Sequence, residues 1–321
     1  MANKDLRIVF MGTPDFAVES LRVLVENNYN VVGVITAPDR PAGRGQKLKQ
    51  SPVKVYAASA DIPVLQPEKL KNPAFLDELR ALRADLQIIV AFRMLPEVVW
   101  AMPPMGSFNL HGSLLPQYRG AAPINWAVIN GDQKTGVTTF FLQHEIDTGN
   151  IIYQEELPIT ADDTAGSVHD KMMMLGGQLV LKTVKAIEQD DIKAIPQAEF
   201  CDEAELNHAP KIFKDDCKVD WTKDAETVRN HIRGLSPYPT AWTEIEMQNG
   251  KAVSVKLFSA QIEEAIKLES GQVQTDNKTY LAMGTSTSAL KIETLQLAGK
   301  KRMTIEELLR GFDAEQIVGV K

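Results

Sequence analysis

The first half of the chain alternates short apolar runs with amphipathic segments. The runs at residues 6–10, 30–36 and 86–91 have the apolar character of buried strands, whereas residues 14–27 and 73–82 follow the period of a helix. Strands separated by helices in this order predict a mostly parallel sheet with helices on both faces. We therefore expect an α/β domain built on a Rossmann-like, mostly parallel sheet.

The last third of the chain has a different pattern. Short alternating segments at residues 253–257, 271–273 and 290–293 are regularly spaced, which is typical of a small antiparallel barrel. Thr304 is followed three residues later by Glu307, the spacing of a helix capping box. We expect an OB-like antiparallel β-barrel that carries a capped helix.

A polar stretch separates the two patterns. Residues 190–209 show neither a helical nor a strand period, and we interpret them as a linker. The predicted first domain is therefore 1–189 and the predicted second domain is 210–321. A chain of 321 residues is long enough to give each domain a core of its own.

The composition is that of an ordinary globular protein, with 44% hydrophobic and 24% charged residues. No apolar run approaches the roughly 18 residues that a membrane-spanning helix needs. The first predicted strand starts at residue 6, so we expect no signal or transit peptide. The two cysteines show no metal-binding spacing, so we expect reduced thiols. We expect a cytoplasmic monomer without a metal or a membrane contact, and the net charge of −7 argues against a general nucleic-acid coat.

One segment of the first domain concentrates positive charge. Residues 37–52 contain two glycines, three prolines and four basic residues against a single acid, Asp39. We expect this basic loop to have no regular secondary structure. A flexible cationic loop beside the end of a strand is suited to contact a phosphate backbone, and the simpler alternative is a solvated surface loop.

The richest chemistry lies in the strand predicted at residues 107–111. Asn109 and His111 fall on one face of it, because side chains alternate along a strand. Asp147 follows the strand predicted at 135–142. Since open parallel sheets bind ligands at the carboxyl ends of their strands, we expect these three side chains to converge there.

These residue types suggest acyl chemistry. The Asn109 amide can donate to a developing oxyanion, His111 can donate or carry a proton near neutral pH, and Asp147 can orient the ring or accept a proton. No serine or cysteine has a base at usable spacing, and the first strand–helix turn has one glycine where a dinucleotide site has three. The expected reaction is direct attack of a substrate amine on an acyl carbon.

The run Asn-Leu-His-Gly-Ser-Leu-Leu-Pro at 109–116, with Asp-Thr-Gly at 147–149, resembles the 10-formyltetrahydrofolate-dependent formyltransferases. Further motifs are similar to the branch of that family that formylates methionyl-tRNA. They are Phe-Met-Gly-Thr-Pro-Asp-Phe at 10–16, Pro-Asp-Arg-Pro-Ala-Gly-Arg-Gly at 38–45, Tyr-Arg-Gly-Ala-Ala-Pro-Ile at 118–124 and Ile-Arg-Gly-Leu-Ser-Pro-Tyr-Pro at 232–239. The resemblance thus covers nearly the whole chain.

The resemblance implies a formyltransferase domain at 1–189 and a tRNA-supporting barrel at 210–321. It implies 10-formyltetrahydrofolate as cosubstrate and initiator methionyl-tRNA as partner, with Arg44 of the basic loop near the acceptor end. The implied catalytic residues are Asn109, His111 and Asp147, and the implied folate-binding residues are Ser113, Leu114, Leu115 and Pro116. The pair Phe92-Arg93 departs from the Tyr-Gly that the family often has.

Three other functions stay open at this point. A formyltransferase for an amino-sugar nucleotide would share the core but would not need the basic loop. A tRNA-binding module without catalysis would not need an oxyanion donor such as Asn109. A hydrolase would transfer the formyl group to water and would release formate without tRNA.

Overall fold

The computed structural model describes residues 5–42, 47–200 and 203–321. The chain divides into two compact units. The first comprises the residues up to 120 together with 135–157 and 169–208, and the second comprises 121–134, 158–168 and 209–321. The linker predicted at 190–209 and the domain limits on either side of it stay predictions.

The first sixteen elements in chain order follow the predicted alternation of strands and helices, apart from three short strands that were not predicted, at residues 40–42, 47–49 and 119–120. The helix expected at 73–82, for example, spans residues 73–81. In chain order these elements are β1 (Arg7–Gly12), α1 (Phe16–Glu26), β2 (Asn30–Ile35), β3 (Arg40–Ala42), β4 (Lys47–Lys49), α2 (Pro52–Ser59), β5 (Val64–Leu65), α3 (Pro73–Ala81), β6 (Leu86–Val90), α4 (Glu97–Trp100), β7 (Ser107–His111), β8 (Arg119–Gly120), α5 (Pro123–Ile129), β9 (Lys134–Phe141), β10 (Ile151–Pro158) and α6 (Ala165–Glu188).

Seven strands of the first unit form one sheet in the order β10-β9-β7-β6-β1-β2-β5. The four neighbouring pairs from β7 to β5 are parallel, whereas β9 is antiparallel to β7. The prediction of a mostly parallel sheet is therefore confirmed. Phe10, Phe108 and Phe140 are completely buried, as expected for strands that are covered on both faces.

The basic loop contains regular structure that its glycines and prolines argued against. β3 and β4 pair antiparallel, with Arg40 opposite Lys49, so the expectation of a loop without secondary structure is wrong for these six residues. A ribbon of two strands has only edge strands. Pro41 is tolerated there because an edge strand does not need every N–H group.

Three polar side chains beside β3 form a closed triangle. Lys54 donates to Asp39 at 2.5 Å and to Gln66 at 2.7 Å, while Gln66 donates to the other Asp39 oxygen at 2.8 Å. The hydrogen bond from the Lys54 ammonium lowers the pKa of the Asp39 carboxyl. Asp39 is therefore held in an ion pair with Lys54 of α2.

The remaining elements begin after residue 203 and are mostly short strands. They are β11 (His208–Ala209), α7 (Ala225–Gly234), β12 (Ala241–Met247), β13 (Ala252–Glu263), β14 (Val273–Thr275), β15 (Leu281–Gly284), β16 (Ala289–Leu297), β17 (Met303–Thr304), α8 (Ile305–Leu309) and β18 (Ile317–Val320). Across the described parts of the chain, no helix is both long and apolar enough to cross a bilayer.

The second unit is built on an antiparallel sheet in the order β14-β15-β16-β13-β12-β18, with β17 also paired to β16. The Val320 N–H donates to the Gly271 carbonyl just before β14, at 2.9 Å, and this bond brings the two outer strands together. The sheet is thereby almost closed. The predicted small antiparallel barrel is confirmed.

The capping box predicted from the sequence is also present. The Thr304 hydroxyl accepts the Glu307 N–H at 3.2 Å, and the Glu307 carboxylate accepts the Thr304 N–H at 3.0 Å. This reciprocal pair satisfies two backbone donors at the start of α8. Its effect is local, so the spacing of two residues was enough to predict it.

The stability of the second unit is predicted to fall in mild acid because of His231 on α7. Burial lowers the pKa of His231, and its Nε2 has no hydrogen-bond partner in the described residues. As the pH falls, His231 of the unfolded chain is protonated near its ordinary pKa of about 6.5, whereas His231 of the folded chain is protonated only at lower pH. Acid therefore favours unfolding. Urea unfolding followed between about pH 5 and about pH 8 should show this loss.

The variant His231→Gln should flatten that pH dependence. His144→Gln is the matched control, because the His144 side chain is 87% exposed and its loss should leave the pH dependence as it is in the wild type. An unchanged pH slope in His231→Gln would contradict the assignment to this ring.

Candidate active site

Strand β7 carries two of the three predicted catalytic residues in the middle of the first sheet. It lies between β6 and β9. Phe108 and Leu110 are buried in the core, whereas Asn109 is partly exposed. The alternation along the strand therefore places Asn109 and His111 on the same face, as predicted.

Asp147 reaches His111 by a different route from the predicted one. Because β9 is antiparallel to β7, its last residue, Phe141, lies opposite Phe108 near the start of β7. Three residues of strand, about 10 Å, separate that point from His111. Residues 142–150 turn back along β7 and bring Asp147 to His111. The expected route, from the carboxyl end of a neighbouring parallel strand, is wrong, although the two side chains meet.

Two backbone features shape the path of residues 142–150. Asp147 has a φ of 55°, a left-handed conformation that aspartate adopts more readily than most residues. Gly149 lies so close to β9 that a Cβ there would be 1.6 Å from the Phe141 carbonyl oxygen. Phe141 donates its N–H to the Asn150 carbonyl at 3.1 Å, which closes the segment just before β10.

The imidazole of His111 lies between a backbone carbonyl and the Asp147 carboxylate. Nε2 is 2.9 Å from the Tyr118 carbonyl oxygen, and Nδ1 is 3.9 Å from Oδ2 of Asp147. A carbonyl oxygen only accepts, so Nε2 carries the hydrogen and Nδ1 is the acceptor of the neutral ring. The same Oδ2 accepts the Gly120 N–H at 3.1 Å. Both side chains are largely buried, and the site therefore holds a proton acceptor beside a fixed carboxylate.

The Asn109 amide makes no hydrogen bond within residues 5–42, 47–200 and 203–321. It is partly exposed on the face that it shares with His111. The two residues are separated by two strand positions, about 6.6 Å along β7. Asn109 can therefore donate to a ligand that also reaches Nδ1 of His111.

A residue outside the predicted set holds the Asp147 segment. Gln197, on a 3₁₀ turn, donates to the carbonyls of Asp147 at 2.7 Å and Gly149 at 2.9 Å. Its Oε1 accepts two hydrogen bonds from Arg119, at 2.9 and 2.7 Å. Gln197 is only 3% exposed, yet it lies within the polar stretch at 190–209. One buried glutamine in an aperiodic segment leaves no pattern in the sequence.

The predicted folate-binding residues are mostly internal. Ser113, Leu115 and Pro116 are buried, and Leu114 is partly exposed. The Ser113 hydroxyl donates to the carbonyl of Gln117 at 2.6 Å. A ligand at this turn would meet Leu114 and the backbone, and the role of all four residues stays a prediction.

Thr138 of β9 holds that turn in place. Its hydroxyl donates to the Ser113 carbonyl at 2.6 Å and accepts from the Leu115 N–H at 3.1 Å and from Gln154 at 3.0 Å. Gln154 also donates to the Leu115 carbonyl at 2.7 Å. Thr138 is fully buried, so it joins the turn to β9 and β10 through bonds that water does not reach.

Arg44, the predicted tRNA contact, lies outside the described residues. The unusual pair Phe92-Arg93 follows β6. Arg93 donates to the carbonyls of Pro67 and Glu68, so this side chain connects the end of β6 with the segment after β5. In the described ranges, no group of three His, Cys, Asp or Glu side chains is arranged to hold a metal ion.

The fold is that of a formyl-transfer enzyme. Residues 6–184 match the family profile "Formyl transferase", and residues 211–313 match "Formyl transferase, C-terminal domain". The chain therefore belongs to the formyl transferase family. It is 60% identical over 313 residues to the methionyl-tRNA formyltransferase of Bacteroides thetaiotaomicron, and the match covers 97% of each chain.

Two solved structures share the fold at low identity. WlaRD, a sugar 3N-formyl transferase crystallised in the presence of dTDP and 5-N-formyl-THF, has a TM-score of 0.65 and 20% identity over 94% of this chain and 100% of its own. HypX from Aquifex aeolicus in complex with tetrahydrofolic acid has a TM-score of 0.64 and 21% identity over 94% of this chain. The match covers 46% of HypX, so the chain spans about half the length of that protein.

Thr138→Val should loosen the turn at 113–116. The variant keeps the shape of the side chain but leaves the Leu115 N–H and the Ser113 carbonyl without this partner. The free energy of unfolding should fall by about 2–6 kcal/mol, since each of the two buried groups left unpaired costs about 1–3 kcal/mol. Chemical denaturation measures this loss. Thr294→Val, at a partly exposed position on β16 in the second unit, should change stability by less than about 0.5 kcal/mol, and equal effects of the two variants would refute the role of Thr138.

Proposed function

We propose that this chain transfers a formyl group from 10-formyltetrahydrofolate to the α-amino group of initiator methionyl-tRNA, as a cytoplasmic monomer. The observation that carries this proposal is the 60% identity with a methionyl-tRNA formyltransferase over 97% of both chains. The folate donor is supported by the reduced folates present with the two structural neighbours WlaRD and HypX.

The proposed reaction moves one formyl group and one proton. The amine nitrogen of methionine bonds to the formyl carbon, the bond from that carbon to N10 of the folate breaks, and the proton lost by the amine ends on N10. Such a transfer needs no covalent bond to the enzyme. It needs aligned reactants, a donor for the charge that develops on the formyl oxygen, and a group that carries the proton.

Asn109 is proposed to supply the donor. Its amide is unbonded in the described structure and partly exposed beside His111. A donor that is already in place costs no reorganisation when charge develops on the oxygen. The rigid position of Asn109 within a central strand suits this role.

His111 and Asp147 are proposed to carry the proton. With Nε2 bonded to the Tyr118 carbonyl, Nδ1 is the atom that can accept a proton from the amine. An N–H formed there points towards the Asp147 carboxylate, 3.9 Å away. The carboxylate therefore stabilises the imidazolium while the proton passes to the leaving nitrogen.

A comparison of acceptors tests the function directly. The purified chain is incubated with 10-formyltetrahydrofolate and with methionyl-tRNA, an amino-sugar nucleotide or water alone. Formylated methionyl-tRNA is the expected product. Formylation of the sugar instead, formate without tRNA, or tRNA binding without any formyl release would each overturn the proposal in favour of one rival function.

Asn109→Ala should lower kcat for formyl transfer by about 100- to 1,000-fold, the usual effect of removing one oxyanion donor. Rates are measured under single-turnover conditions with charged initiator tRNA. Asn249→Ala, in an exposed position, is the matched control and should keep the wild-type rate. A loss of less than about tenfold in Asn109→Ala would exclude this residue as the donor.

Arg44→Ala should weaken productive use of tRNA and leave the use of the folate unchanged. Removal of one phosphate contact should raise the KM for tRNA and reduce the salt dependence of kcat/KM by about one unit of slope. Steady-state kinetics at several salt concentrations measure both effects. Arg80→Ala, an exposed arginine on α3 that bonds Asp77, serves as control. If tRNA kinetics are the same in both variants, the basic loop does not contact tRNA through Arg44.

A further inference from the structure

The position of Asp147 needs an external support. Asp147 has a left-handed backbone conformation, with a φ of 55°. It lies in the segment 142–150, which leaves β9 beside the start of β7, whereas His111 is at the end of β7. Residues in such conformations persist where the surrounding structure determines them. The 3.9 Å separation between Asp147 and His111 therefore depends on what holds residues 147–149.

Gln197 fixes residues 147–149, and every polar atom of its side chain takes part. Both amide hydrogens are used, one on the Asp147 carbonyl and one on the Gly149 carbonyl, and Oε1 accepts twice from Arg119. The orientation of the amide is unambiguous, because carbonyls only accept and a guanidinium only donates. A fully satisfied, buried network of this kind is rigid.

Gln197 is itself attached to the sheet. Two residues before it, Ile195 exchanges a pair of backbone hydrogen bonds with Ile151 at the start of β10, both at 2.8 Å. Its other partner, Arg119, precedes Gly120, whose N–H holds the Asp147 carboxylate. Gln197 and Gly120 thus hold Asp147 from its backbone side and its carboxylate side.

We infer that Gln197 is a positioning residue for formyl transfer, acting through the backbone of Asp147 and Gly149 to keep the Asp147 carboxylate against His111. The inference rests on the proposed function. Within the described residues, the four hydrogen bonds of the Gln197 side chain all go to other groups of the protein, so this side chain does not bind substrate. Its loss is therefore expected to change the rate of the transfer step and not the binding of either substrate.

Gln197→Met tests this role, because methionine has a similar length but cannot replace the four hydrogen bonds. The kcat should fall by roughly 10- to 100-fold, as a small displacement of a catalytic group does. The KM values for folate and for tRNA should stay within about twofold of the wild type. Gln248→Met is the matched control, since that exposed glutamine donates to the Glu315 carbonyl in the second unit, and it should retain the wild-type kcat.

A double variant separates positioning from a general structural role. If Gln197 acts through Asp147, adding Gln197→Met to Asp147→Asn should lower kcat by no more than about twofold further. Adding it to Asn109→Ala should multiply the two losses. If the substitution only destabilises the fold, it should lower the active fraction equally in every background and leave kcat per folded enzyme unchanged.

Three outcomes would overturn the inference: an unchanged kcat, a raised KM at unchanged kcat, or independent effects of Gln197 and Asp147. If Gln197→Met fails to fold, Gln197→Glu keeps the volume and the contact with Arg119 but sets an oxygen against two carbonyls, and it should show the same loss of kcat.

The wild type in the same assay reports on the proposed function. A wild type that does not formylate methionyl-tRNA refutes that function, whereas an active wild type with an equally active Gln197 variant refutes only the positioning role.

Discussion

The direction of a single strand constrains the whole site. Because β9 runs antiparallel to β7, the chain leaves β9 beside the start of β7. Residues 142–150, which carry Asp147, must then return about three residues along β7 to reach His111. The return requires a left-handed aspartate and a glycine pressed against the Phe141 carbonyl. Neither feature is favourable alone, so the segment depends on the groups that hold it.

Two buried polar centres hold the irregular segments around the site, one at the turn 113–116 and one at residues 147–149. Thr138 gathers the Ser113 carbonyl, the Leu115 N–H and Gln154, and Gln197 gathers the Asp147 and Gly149 carbonyls. Each centre converts a turn without secondary structure into a fixed surface. In a low-dielectric interior such bonds are strong when complete and costly when broken. This rigidity agrees with a reaction in which the protein aligns reactants and forms no bond to them.

Local hydrogen bonds also control the charge of the single acid in the basic loop, Asp39. Lys54 and Gln66 occupy both oxygens of Asp39, so the only acid of the basic loop does not offset Arg40 or Lys49. A chain with a net charge of −7 can therefore still present a local basic surface. Local charge, and not the total, decides whether a polyanion is attracted at short range, because salt screens exposed charges beyond about 10 Å.

The sequence by itself determined the features that depend on neighbours along the chain. The alternation of apolar runs predicted the mostly parallel sheet and the barrel, the pair Thr304 and Glu307 predicted a capped helix, and the strand period placed Asn109 and His111 on one face. The residue types at 109, 111 and 147 suggested attack of an amine on an acyl carbon, and the family resemblance added the formyl group, the folate donor and the tRNA acceptor. The sheet, the barrel, the capped helix and the shared face of Asn109 and His111 each follow from a period or a short spacing along the chain.

Only the tertiary structure decided how Asp147 meets His111. The sequence shows that β9 is a strand but not that it runs antiparallel, since hydrophobic period is the same in both directions. It also conceals Gln197, whose bonds reach back 48 and 50 residues from a segment without any period. Strand direction and long-range polar contacts are settled by packing, because they join groups whose separation along the chain carries no local signal.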